Sequence, residues 1–160
     1  MIIVELAPWE YEWASHVGAR RFIENWERGD AKHYDRSRME DDRTAQVAAC
    51  VCELAVAKYT NRYWSGSVWD RRDHHKYKDI ADVGHNIEVR RIRTQLAAAV
   101  RRHQVGKKLV LFVARPVMPE MRDVEIYGHL AYDKAWELGF PSSYDENTRT
   151  INVNQLKEAK

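Results

Sequence analysis

Asp82 and Glu88 flank a reversal that contains Gly84, and Arg90 follows Glu88 by two positions. Ile80 and Asp82 before the reversal, and Ile87, Val89 and Ile92 interleaved with Glu88, Arg90 and Arg91 after it, predict two short strands joined by a tight turn. Such a hairpin sets Asp82 across from Glu88. Strand residues two apart share a face, so Glu88 and Arg90 point together and Val89 points into the core. Two carboxylates this close repel unless a cation lies between them, and hard oxygen donors suit Mg²⁺, or Mn²⁺ in its place. A cation held there polarises a phosphoryl oxygen and acidifies an attacking water, which is the chemistry of phosphodiester hydrolysis. The same spacing also describes a surface hairpin whose charges face solvent and pair across strands.

A third carboxylate lies upstream. Between Arg43 and Lys58 the only charged residue is Glu53, set among Val47, Ala48, Val51, Leu54, Ala55 and Val56 on a predicted helix over about Asp42 to Tyr59 with Asp42 as N-cap. An ionised carboxylate is costly to bury unless it is paired or bound to a metal. The alternative is that Gln46, Cys50, Glu53 and Ala57 form a narrow solvent stripe.

The order of helical Glu53, Asp82, Glu88-Val89-Arg90 and the apolar stretch Leu109 to Ala114 resembles the core of the PD-(D/E)xK nuclease superfamily, particularly its small phage-encoded members, over roughly residues 44 to 140. The resemblance implies a restriction-endonuclease-like core and a metal-dependent nuclease acting on nucleic acid, DNA foremost. It implies Asp82, Glu88 and the Val89 carbonyl as metal ligands and Glu53 as the helical acid. Arg90 would stand where the superfamily has lysine. Three departures are visible. Ala81, not proline, precedes Asp82; the gap from Asp82 to Glu88 is short, which leaves Asp79 and Asp73 as substitutes; and arginine stays protonated, so Arg90 can stabilise negative charge or hold a phosphate but not act as a base. The last departure opens a second reading, a nuclease-like fold that no longer cuts and binds nucleic acid or a host protein.

Substrate contacts are expected from Arg91 and Arg93, which open a run continuing through Arg101, Arg102, Lys107 and Lys108 with no acid among them, and from Arg62, Trp64 and Trp69 in a loop where aromatics alternate with cations. A charged solvated face and a loop packing its rings on the domain are the plainer readings of both. His74 and His75 are adjacent and lack a second pair, so zinc is not expected.

The remaining chain must position these groups. Its 160 residues suit one domain, 1–160, and a hydrophobic share of 44% supports a sizeable core. A net charge of +2 excludes a uniformly basic nucleic-acid binder, so any such contact must be local. Cys50 and Cys52 diverge on a helix and read as buried free thiols, in keeping with a cytoplasmic setting, the host's if phage-encoded. The N-terminus is charged too soon for a signal peptide and no apolar run reaches a membrane span. A homodimer stays open.

An opening strand from Ile2 to Leu6 precedes a helix over Trp9 to Arg28, whose Trp9, Trp13, Val17, Phe22, Ile23 and Trp26 are expected to face the core. Residues 30 to 43 read as a charged linker. Residues 95 to 106 fit a helix or a strand. A central strand over 109–114, a strand over 124–130, a short helix over 131–138 and a last edge strand over 148–153 complete a mixed sheet of about five or six strands flanked by helices, an α/β fold.

Overall fold

A computed structural model of the chain describes residues 1–28, 41–70 and 72–160. Most of the expected linker, residues 30–40, lies outside the described residues, as do the side chains of Trp26 and His74. The elements run β1 (Ile2–Glu5), α1 (Pro8–Arg28), α2 (Asp42–Thr60), β2 (Ile87–Arg91), β3 (Ala97–Arg101), β4 (Val110–Pro116), β5 (Asp123–Ala131), α3 (Tyr132–Leu138), β6 (Phe140–Pro141), β7 (Thr148–Asn152) and β8 (Lys157–Glu158). The fold is α/β with a mixed sheet, as expected. It differs in having two sheets: β1-β5-β4-β2, with β8 also on β5, and a smaller β3-β7-β6. The last strand therefore pairs with β3, and the ambiguous stretch near residue 97 is a strand. Ala98 and Val100 decide this, since alternate residues bury themselves against Ile151 and Tyr132 while their neighbours stay half-buried.

β2 and β4 are parallel and the other pairs of the larger sheet are antiparallel. Helix α2 lies on one face, burying Val51, Leu54 and Ala55 with Ile87, Val89, Phe112 and Ala114. The smaller sheet and α3 cover the other face through Leu111, Val113, Leu130, Val100, Ile151 and Tyr132. Glu88, Arg90 and Ile92 thus belong to one face of β2 and Val89 to the other, as strand alternation requires.

Helix α2 is capped by Asp41, whose carboxylate accepts the Thr44 N–H at 2.7 Å, one residue before the expected cap. It ends at Asn61 in the left-handed region, φ 51°, with the Asn61 N–H turned back to Ala57 and Lys58. Helix α1 packs against α2 rather than against the sheet. Gly18 permits this, because a Cβ there would stand 2.5 Å from the Val47 Cα. The packed face of α1 is therefore Ala14, Gly18 and Arg21, and the tryptophans expected in the core are turned outward: Trp9 is 63% exposed and Trp13 42%. Small residues let the helices approach, whereas indoles at the same positions would hold them apart.

Gly18→Val should cost at least about 2 kcal/mol, since a branched side chain meets backbone atoms that must move. Thermal and urea unfolding followed by circular dichroism will show it as a fall in midpoint, and an unchanged midpoint would mean that α1 packs differently.

Candidate active site at the edge of the larger sheet

β2 ends the β1-β5-β4-β2 order of the larger sheet, and its outer side is covered by the loop before it. Val83 and Ile87 exchange both backbone hydrogen bonds, 3.2 and 3.1 Å, around a reversal in which Gly84 takes φ 58°. The expected hairpin is thus a single bridge and not two strands, because β2 pairs with β4 instead. The reversal nevertheless leaves Asp82 and Glu88 as its flanks, and Asp82 Oδ2 accepts the Val89 N–H at 2.8 Å. The N–H and C=O of one strand residue leave on the same side, so the Val89 carbonyl is directed to this edge as well. Outside the reversal a further segment is stitched on: Trp64 bridges Val83, the Gly84 N–H donates to the Tyr63 carbonyl at 2.6 Å, and Ser65 donates from N–H and hydroxyl to the Asp82 carbonyl.

Glu53 reaches the same place from α2. It is 6% exposed, so the solvent-stripe alternative fails, and Cys50 and Ala57 are buried with it. Arg21 donates to both its oxygens, Nη1 to Oε1 at 2.7 Å and Nη2 to Oε2 at 3.1 Å, and the Trp64 indole donates to Oε2 at 2.9 Å. Arg21 also donates from Nε to the Ser67 carbonyl at 2.8 Å. Burial works against its charge, but the attraction and hydrogen bond of Glu53, with Cys50 and Asp82 nearby, together hold the guanidinium charged. Glu88, also 6% exposed, pairs through Oε1 with Arg90 Nη2 at 2.8 Å and takes the Gln104 amide on Oε2 at 3.3 Å.

The three acids sense one another. Burial pushes the Asp82 carboxyl well above the usual carboxylate range, and the charges of Glu53 and Glu88 push it further against the Val89 N–H and Arg90. Glu88 is raised by burial and by Glu53, against the pull of Arg90. Asp82, Glu88, Glu53 and Arg90, expected from the sequence to act together, therefore do form one electrostatic cluster. The substitutes do not join it: the Asp79 side chain is 80% exposed and pairs with Lys107 at 3.8 Å, and Asp73 pairs with Lys76 at 3.0 Å.

The expected substrate contacts scatter. Trp64 is 2% exposed, so its ring offers no face to a base and serves Glu53 instead. Arg62 is exposed next to it, and Trp69 is half-buried. Arg91 and Arg93 line a separate cavity of about 540 Å³ at the ends of β2 and β4, together with Arg115, Thr44 and Met118. The rest of the basic run is largely spent within the fold. Arg101 donates to Thr148 and Asp145, and Arg102 lies over the Trp136 ring at 5.5 Å.

Sequence reasoning missed Arg21 and Gln104. Arg21 had a signal, since it continues the small face Ala14, Gly18 at helical spacing, where a cation needs an acid facing it. Gln104, in a 3₁₀ turn distant in sequence from Glu88, had none.

Among the described residues no three His, Cys, Asp or Glu side chains already stand at metal-ligand spacing. The donor chemistry still suits a hard cation. Asn86 Oδ1, Arg90 Nε and Gln104 Oε1 are buried without a hydrogen-bond partner, and Gln104 reaches Glu88 through its amide N–H. The orphaned Gln104 oxygen next to Glu88, whose carboxyl is raised by burial and by Glu53, would suit a hard oxygen-binding cation. Comparison with known proteins gives no match to a family model, a curated sequence or a solved structure, so the functional reading rests on these residues alone.

Two outcomes test the geometry. Arg21→Met strands the Glu53 charge and should cost about 3–5 kcal/mol, whereas Arg21→Met with Glu53→Met should cost clearly less than the sum of the single changes. Strict additivity in urea melts would mean that the pair does not act as a unit. Asp82→Asn removes the repelled charge while leaving an oxygen for the Val89 N–H. Below about pH 4 Asp82 is protonated in the folded and unfolded chain alike and the variant gains nothing. As pH rises from there to the raised folded value the unfolded chain ionises first and the native chain loses stability, so the variant should be the more stable protein at neutral pH. Equal unfolding midpoints of the two proteins from pH 4 to pH 8 would contradict the cluster.

Proposed function

We propose that this chain is a divalent-cation-dependent nuclease that hydrolyses phosphodiester bonds of nucleic acid, DNA foremost, in the manner of the PD-(D/E)xK nucleases that its motif order resembles. One observation carries the reading. Three acids from three separate segments, Glu53 on α2, Asp82 in the reversal and Glu88 on β2, converge at one sheet edge beside the Val89 carbonyl, where burial and the neighbouring acids disfavour the charges of Asp82 and Glu88.

Asp82, Glu88 and the Val89 carbonyl are the groups that would hold Mg²⁺ or Mn²⁺, which when bound supplies charge neutralisation at a phosphoryl oxygen and a more acidic water. The chain's own residues do the rest. Arg90 aims Glu88 through their 2.8 Å contact and adds a permanent positive charge near the developing phosphorane. Glu53, with both oxygens engaged by Arg21 and Trp64, acts as a positioning acid that fixes the Trp64 to Ser65 segment against Asp82. A cytoplasmic setting goes with the reading: Cys50 and Cys52 are buried free thiols, and among the described residues no helix is long and apolar enough to cross a membrane.

A second reading is favoured by the same contacts. Arg21 and Arg90 already neutralise Glu53 and Glu88 internally, which is what a fold that had ceased to cut and only bound nucleic acid or a host protein would show.

The two separate on labelled single- and double-stranded DNA incubated with Mg²⁺, Mn²⁺ or chelator, beside Asp82→Asn and Glu88→Gln whose folding is checked by circular dichroism. A nuclease cuts only with the cation and loses at least about a hundredfold in rate in either variant, the loss of roughly 3 kcal/mol expected when a charge-stabilising group is removed. The cation should also raise the melting temperature of the parent and not that of Asp82→Asn. A folded parent that neither cuts nor shifts leaves the binding module.

A further inference from the structure

The outward turn of α1 leaves a largely exposed surface, of which Trp13 alone touches a residue that holds the acid cluster. Residues 9, 13, 16 and 20 fall on one helical face, and Trp9, Trp13, His16 and Arg20 are all exposed. The Trp9 and Trp13 rings stack with centroids 6.5 Å apart and planes 16° from parallel, and Trp13 meets the buried Trp64 ring edge-on at 4.9 Å. Trp64 in turn holds Glu53. A ladder of three indoles thus runs from the solvent to the acid cluster.

Two large rings left exposed on a helix keep apolar surface in water and forgo the gain of burial, which polar residues at these positions would not. The arrangement suits a planar ligand. Trp9 is 63% exposed, and beyond Trp13 the stripe continues into His16 and an Arg20 side chain that is 60% exposed though paired with Glu24 at 2.6 Å. Arg62 and Tyr63, the latter 76% exposed, precede Trp64 in the chain. From Trp9 to Arg20 the stripe extends about 16 Å, at ~1.5 Å of rise per residue. Aromatic faces followed by an imidazole and a guanidinium over this length match unpaired bases joined by phosphates, whereas an apolar protein partner would leave His16 and Arg20 facing nothing of use.

We propose that the Trp9-Trp13-His16-Arg20 face of α1 binds a single-stranded segment of nucleic acid, its bases stacking on the indoles and its phosphates meeting His16 and Arg20, and leads that strand toward the acid cluster. The proposal deepens the nuclease reading by naming an unpaired strand as the substrate, and rests on it only for the strand's destination. Duplex DNA keeps its bases inside the stack and cannot use the indoles.

The test is binding measured in chelator, where no cleavage occurs, with a labelled single-stranded oligonucleotide and with the same sequence as a blunt duplex, against the parent chain, Trp9→Ala, Trp9→Phe and Arg20→Ala. Trp9 is exposed, so its loss leaves the fold intact, which circular dichroism verifies. Stacking energies of about 1–3 kcal/mol per base predict a single-strand affinity about 5- to 150-fold weaker in Trp9→Ala, largely restored in Trp9→Phe. Affinity should fall with salt, less steeply in Arg20→Ala. Single-strand binding that Trp9→Ala leaves unchanged, no binding to the single strand, or duplex binding that falls equally in Trp9→Ala would overturn the proposal. So would a dimer in sedimentation that Trp9→Ala dissociates, since a second copy would then occupy the face. The two readings fail separately. Stacking-dependent binding without metal-dependent cleavage removes the nuclease and keeps the strand-binding face, and cleavage indifferent to Trp9 does the reverse.

Discussion

The carboxylate of Glu53 is the constraint on which the arrangement depends. It sits on the apolar helix that covers the larger sheet, where a lone charge would be intolerable, and it is made tolerable by two groups from elsewhere in the chain. Arg21 can reach it only because α1 lies close on α2, which Gly18 allows. Trp64 can reach it only because the segment after α2 folds back beneath α1. Satisfying one buried acid therefore fixes the angle between two helices, the path of the following loop and, through the Trp64 to Val83 bridge, the place of Asp82. Apolar packing alone would leave each of these free to slide, since hydrophobic contact is non-directional and a bidentate guanidinium is not.

The other half of the cluster is built by the sheet. β2 ends the strand order, and an unpaired edge presents backbone groups that need partners. Here the partner of the Val89 N–H is a side chain, Asp82, not another strand. This has two effects at once. The Val89 N–H is satisfied, and a carboxylate is drawn into a position where burial and two other acids raise its pKa. A continuous hairpin would have satisfied it as well, but by backbone pairing, and would have left Asp82 at the solvent side of an ordinary ladder.

How much of this was legible in the sequence follows from which signals are local. Glu53 was legible because it is the only charge in a long apolar helical run, and such a residue must be explained wherever the helix goes. The pairing of Glu88 with Arg90 was legible from strand alternation. The second sheet was not, because Ala97 to Arg101 carries no strong periodicity and acquires its strand character from β7, some fifty positions later. The orientation of α1 was misread for a related reason: a tryptophan stripe has the largest apolar payload and was assigned to the core, while the face that packs is the small one, Ala14 and Gly18. Close helix approach favours little side chains, so the most hydrophobic stripe and the most buried stripe need not coincide. Gln104 was beyond reach, being placed by the smaller sheet.

Arginine at position 90 can be understood from the same geometry. The side chain lies among Glu88, Tyr132 and the apolar contacts of the second core, where an ammonium would be pulled toward neutrality by desolvation and would lose the charge that Glu88 needs. A guanidinium keeps its charge there and can hold Glu88 with one nitrogen while another is turned to Tyr132. The consequence for chemistry is that no base comes from this position. The contacts of the three acids differ accordingly: Glu53 is engaged by Arg21 and Trp64, Glu88 is tied to Arg90, and Asp82 accepts the Val89 N–H. Arginine at position 90 thus keeps a permanent charge against Glu88, while the reversal that holds Asp82 at the sheet edge brings a second acid up to that pair.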